Sequence, residues 1–106
     1  MKIRLVNESA LGVYQMAWRS GPDQRRCVLM WERGLPAPLF SYYLPGDTEP
    51  AGHAVRAVPA SLLSELGWAE PRPHHPGDYA RFARAYAEHL ETAWNEETTA
   101  REGENR

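Results

Sequence analysis

The sequence predicts an α+β fold: an antiparallel sheet of three to five strands, followed by a short helix and a long amphipathic helix that packs on the sheet. Strand-like patterns occupy the first half of the chain and helix-like patterns the second, without the alternation that is typical of a parallel sheet. Two of the strand-like segments flank a turn sequence, which indicates a hairpin. The 106 residues suffice for one hydrophobic core without disulfides.

The predicted strands cover about residues 2–7, 11–20, 24–33 and 39–44, and the weaker pattern at 53–58 suggests a fifth. Residues 20–23 read Ser-Gly-Pro-Asp, in which proline presets φ and glycine permits a positive one. A loop over 21–23 would set Trp18 opposite Arg26, Met16 opposite Val28 and Tyr14 opposite Met30, and would leave Val13, Ala17, Cys27, Leu29 and Trp31 on the other face. Both faces would then be largely apolar, which predicts cover on both sides.

The helices follow in the second half of the chain. Residues 59–66 predict a short helix, because Pro59 suits a first turn and Gly67 a left-handed cap, with Trp68 packing back on the last turn. After a proline-rich connector (69–77), a long helix is predicted over 77–97, with one large-side-chain stripe: Tyr79, Phe82, Tyr86, Leu90 and Trp94. Residues 1–97 are therefore predicted to form one domain and 98–106 a polar, disordered tail.

Composition predicts a cytoplasmic protein. The single cysteine, Cys27, cannot form an intramolecular disulfide, which fits a reducing compartment. Arg4 and Glu8 interrupt the N-terminal segment, so no signal peptide is expected, and no apolar run has the length of a membrane span. Eleven arginines against one lysine indicate a GC-rich genome, and thus a bacterial or phage origin.

The sequence contains no recognisable catalytic constellation, and we predict a non-enzymatic protein without a cofactor or metal. His74 and His75, with Asp78 nearby, lie in a proline-rich connector and are interpreted as solvated loop residues. Cys27 lies in the middle of a predicted strand, where a small buried hydrophobic residue is expected. The glycines are scattered and form no phosphate-binding loop, and the serines have no triad context.

The predicted hairpin combines aromatic and basic residues and is the candidate interaction face. Its members are Trp18, Arg25, Arg26, Leu29, Trp31, Arg33 and Tyr42. The charge is also uneven, since residues 1–36 carry six bases and three acids and residues 37–106 six arginines and eleven acids. We predict a small regulatory or accessory protein that binds another protein, or itself as a homodimer, through an apolar sheet face or an edge such as 39–44.

Two alternatives stay open. Arginines interleaved with aromatic residues on the hairpin could hold a single-stranded nucleic acid, although the same residues could form core and a cation–π pair of Arg26 over Trp18. A small molecule could instead bind between the sheet and the long helix, in a pocket lined by Tyr14, Trp18, Tyr43, Phe82 and Tyr86.

Overall fold

Five antiparallel strands form one sheet in chain order in a computed structural model that describes residues 3–8, 12–21, 24–46, 48, 55–72 and 74–104. The strands are β1 (Arg4–Glu8), β2 (Val13–Ser20), β3 (Arg25–Glu32), β4 (Leu39–Tyr43) and β5 (Arg56–Ala57). Helix α1 (Ala60–Glu65) and helix α2 (Pro76–Glu104) follow them. The predicted α+β class and element order are confirmed, and of the predicted strand residues 2, 11, 53 and 54 lie outside the described part.

The register of the central hairpin differs from the prediction by one residue. Ser20 pairs with Arg25, so the loop spans four residues, of which Pro22 and Asp23 lie outside the described part. The amide of Gln24 donates to the Gly21 carbonyl at 3.2 Å, and both residues have positive φ values, 55° and 79°. Because strand side chains alternate between faces, a shift of one residue changes which residues share a face.

The corrected pairing places the large side chains of both strands on one face. Tyr14 is opposite Trp31, Met16 opposite Leu29, and Trp18 opposite Cys27. The predicted pairing, which divided these six residues between two faces, was wrong. The reason is the extra loop residue, which the turn sequence alone does not reveal.

Helix α2 packs across this face and forms the core with it. Its residues Tyr79, Phe82, Ala83, Tyr86 and Ala87 are buried, and Leu90 and Trp94 are partly buried against the same core. The predicted aromatic stripe is therefore confirmed as the sheet-facing side of α2. The helix begins one residue before the predicted start and continues to Glu104, past the predicted end at 97. The predicted boundary between the domain and a polar tail after residue 97 stays a prediction.

Helix α1 ends as its sequence predicts. Gly67 has φ of 73°, and the amide of Trp68 donates to the Leu63 carbonyl while that of Gly67 donates to the Ser64 carbonyl. This is the Schellman arrangement of a helix C-terminus. It turns Trp68 toward α2, where its ring centroid lies 4.9 Å from that of Phe82.

The connector between the helices is fastened to the first turn of α2. The Arg72 guanidinium donates to both carboxylate oxygens of Asp78, at 2.9 and 3.2 Å, and the Arg72 amide also donates to that carboxylate. These hydrogen bonds lower the pKa of Asp78 to about 2. Within the described residues, neither helix is long and apolar enough to cross a lipid bilayer.

Candidate interaction face

The two faces of the sheet have different surroundings. The covered face lies under α2 and carries Tyr14, Met16, Trp18, Cys27, Leu29, Trp31, Phe40 and Tyr42. The open face lies on the other side and carries Arg4, Val13, Gln15, Ala17, Arg19, Arg26, Val28, Met30, Glu32, Leu39, Ser41 and Tyr43. Each strand contributes to both faces because its side chains alternate.

The covered face is closed by aromatic packing and by hydrogen bonds from ring substituents. The Tyr79 hydroxyl donates to the Leu29 carbonyl, and the Trp31 indole donates to the Leu35 carbonyl at 3.1 Å. Burial raises the pKa of Tyr79 and raises that of Tyr86 to about 12. Burial therefore favours the neutral form of both phenols.

The middle of the open face is apolar and is not packed against the core. Ala17, Val28, Met30 and Leu39 are half-buried by their neighbours within the sheet. They are not among the partly buried hydrophobic residues in contact with the core cluster. They occupy two adjacent cross-strand rows, since Ala17 pairs with Val28, and Met30 pairs with Leu39. These four residues form a short apolar strip on β2, β3 and β4, and the polar residues Gln15 and Ser41 complete its two rows.

One end of the open face is basic. Arg19 pairs with Arg26, and Arg26 pairs with Tyr43, so the three form one row across β2, β3 and β4. Arg4 pairs with Ala17 in the next row. These side chains line a cavity of about 630 Å³, which we call the arginine cavity. Glu32 stands at the opposite end of the face, where it pairs with Val13.

The structure divides the seven residues of the predicted interaction face between different surroundings. Trp18, Leu29 and Trp31 are core residues, at most 4% exposed. Arg25 and Tyr42 also lie on the covered side, where the Arg25 guanidinium carbon is 4.7 Å from the Trp94 ring centroid and 5.3 Å from that of Tyr42.

Of the remaining two residues, Arg26 lies on the open face and Arg33 is exposed beyond the end of β3. The predicted cation–π pair of Arg26 with Trp18 was wrong: the Arg26 guanidinium carbon lies 4.7 Å from the centroid of Tyr43. The predicted edge at 39–44 is paired with β5 at Leu39 and Phe40.

The geometry gives little support to the two alternative sites, which are the nucleic-acid site on the hairpin and the small-molecule pocket. Trp18 and Trp31 are buried, which leaves them unable to stack on the bases of a nucleic acid. Of the proposed small-molecule pocket, Tyr14, Phe82 and Tyr86 are buried in the core, whereas Tyr43 lies on the open face. Four of the five predicted lining residues therefore share the packed core, and Tyr43 lies apart from them.

The titratable residues singled out in the sequence form no metal-binding cluster within the described part of the chain. His74, with φ of 61°, and His75 are exposed in the connector, and the Asp78 carboxylate is bonded to Arg72. Cys27 is fully buried, as predicted, and His53 lies outside the described residues. No group of three or more potential ligands is found among the residues described.

Sequence reasoning missed the open-face residues Arg4, Arg19, Val28, Met30 and Tyr43 as one surface. The signal was present in the alternation of β2 and β3, but reading it required the correct register. The chain matches no protein-family model, no curated protein and no solved structure at a significant level. Any inference about its function therefore depends on the structure, above all on the two faces of its sheet.

Proposed function

We propose that this protein is a small non-enzymatic interaction protein that binds another protein through the open face of its sheet. The supporting observation is the contrast between the faces: α2 covers one, and the other presents an apolar strip outside the core. Adjacent apolar side chains that lie outside the core and are only half-buried are a feature of protein–protein contact sites. A regulatory or accessory role follows as part of this proposal, because such a protein acts through what it binds.

The composition of the open face favours a protein partner over a nucleic acid. Its middle consists of aliphatic and thioether side chains, Val28, Met30 and Leu39 among them, which pack against apolar protein groups. Tyr43 is the aromatic residue of this face in the part of the sheet described. One ring is a poor platform for successive bases, which single-strand binders usually stack on several aromatic residues.

Charge favours a different protein over a second copy of this chain. Two copies could stack open face on open face about a two-fold axis. An axis along the strands would bring the arginine ends together, and an axis across them would oppose the arginines with Glu32, the acidic side chain described on this face. In neither arrangement do both Arg4 and Arg19 gain an opposite charge from the described residues of this face, whereas an acidic partner would supply one to each. The predicted homodimer remains the competing proposal.

Affinity capture with matched variants tests the proposed function. Met30→Glu places a charge in the apolar strip, and Ala93→Glu places the same charge on an exposed position of α2. From nuclease-treated lysate of the source cells, the wild type and Ala93→Glu should retain a protein that Met30→Glu loses at least tenfold. Equal retention by all three would contradict the proposal. A dimer in sedimentation equilibrium that Met30→Glu dissociates would instead support the homodimer.

A further inference from the structure

We propose that the arginine cavity is a recognition site for carboxylates, and that the partner seats an acidic segment there while its apolar groups cover the strip beside it. This inference rests on the proposed function and specifies the partner's chemistry. The cavity and the strip are continuous, because Ala17 and Val28 line the cavity and also begin the strip. One ligand can therefore contact both.

The first argument is the placement of like charges. Arg19 and Arg26 are direct cross-strand partners with side chains on one face, and Arg4 lies on the diagonal from Arg19. Directly opposed like charges destabilise a strand pair, and diagonal neighbours are only about 7–8 Å apart. An anion held between the guanidiniums of Arg4 and Arg19 would reduce the repulsion between these two side chains. A bound acidic group would therefore be favoured at this end of the face.

The second argument is the lining of the cavity. Its described residues include three arginines and Gln24 but neither aspartate nor glutamate. Arg4 and Arg19 have no ion-pair partner in the described part of the chain. The Arg26 guanidinium carbon lies 4.7 Å from the ring centroid of Tyr43 on β4. This contact limits the orientations of the guanidinium. A guanidinium positioned in this way loses less conformational entropy when it binds a carboxylate.

The third argument concerns the choice of anion. Phosphate and carboxylate both accept paired hydrogen bonds from arginine. The surface next to the cavity, however, is aliphatic and includes Val28 and Ala17, so it suits the side chains of a protein rather than the sugars and bases of a nucleic acid. An acidic protein segment with neighbouring apolar residues satisfies both parts of the surface.

The test measures binding of fluorescent hexaglutamate at low salt, with hexaglutamine, twelve-residue oligothymidylate and inorganic phosphate as parallel probes. Hexaglutamate should bind the wild type, lose affinity as salt is added, and lose about tenfold or more in Arg19→Gln/Arg26→Gln. The matched variant Arg81→Gln/Arg84→Gln, on the exposed surface of α2, should bind like the wild type. Arg19→Lys/Arg26→Lys should retain part of the affinity, because it keeps the charge but not the paired geometry.

Several outcomes would overturn the inference. They are equal binding of hexaglutamine, equal loss in the Arg81/Arg84 variant, absence of hexaglutamate binding, or binding of the oligothymidylate or phosphate at least tenfold tighter than hexaglutamate. Failure here is distinct from failure of the proposed function. If Met30→Glu abolishes capture of a protein partner while hexaglutamate does not bind, the open face is the interface and the carboxylate site is wrong.

Discussion

The covered and open faces of the sheet are built from the same strands, yet successive residues of a strand differ in how deeply they are buried. Leu29 is fully buried under α2, and its successor Met30 is half-buried on the other side. The covered face holds most of the large aromatic residues, and the open face holds smaller apolar groups with charge at its ends. Burial of large side chains is thus concentrated on one face, and the proposed binding would use the other.

The largest expected effect compares these two neighbours. Leu29→Ala should lower the free energy of unfolding by about 2–5 kcal/mol, because it opens a cavity in the core. Met30→Ala should cost about 1 kcal/mol or less, because Met30 is only half-buried and lies outside the core cluster of the described residues. Urea titration of the two variants measures the difference. Equal losses would mean that the open face carries as much of the folding stability as the covered face.

The next effect concerns the far half of α2. The Trp94 ring packs edge-on against Tyr42, with centroids 5.6 Å apart, and receives the Arg25 guanidinium. Trp94→Ala should therefore cost about 1–2 kcal/mol, and a double-mutant cycle with Arg25→Ala should show coupling of about 0.5–1 kcal/mol. Thermal unfolding of the four proteins checks both numbers. Additive losses would show that the arginine does not hold the helix to the sheet.

A smaller effect tests the hydrogen bond that joins the helix to the central strand. Tyr79→Phe removes the hydroxyl that donates to the Leu29 carbonyl and should cost about 1 kcal/mol. Tyr14→Phe is the matched control, since the Tyr14 hydroxyl is 3.4 Å from the Arg72 carbonyl and its bond is weaker. In urea titration, the free energy of unfolding of Tyr79→Phe should be lower than that of Tyr14→Phe. The reverse order would contradict this account of the covered face.

The smallest effect is a pH dependence at the connector, outside both faces. The pKa of Asp78 is lowered from 3.8 to about 2 by Arg72, so its contribution is present above about pH 4 and is lost as the pH falls toward 2. The melting temperature of the wild type should exceed that of Asp78→Asn near neutral pH, and the gap should close over this range. The gap should be small because Arg72 is exposed. A gap that stays constant down to pH 2 would contradict the prediction.

The sequence predicted the architecture well because its signals are local. The stripe from Tyr79 to Trp94 indicated the packing side of α2, and Gly67 with Trp68 indicated how α1 ends. The interaction face was less predictable because it depends on register. A single extra loop residue placed Leu29 opposite Met16, where the predicted register had placed Val28.

Photocrosslinking through the open face tests the central claim most directly. A benzophenone amino acid would replace Met30 in one variant and Ala93, an exposed residue of α2, in the other. After irradiation in source-cell lysate, we expect a discrete heavier product from position 30 that is absent from position 93. Its mass spectrum should identify a second protein with an acidic segment. A product from position 93 alone, or from neither position, would contradict the claim that the open face is the binding surface.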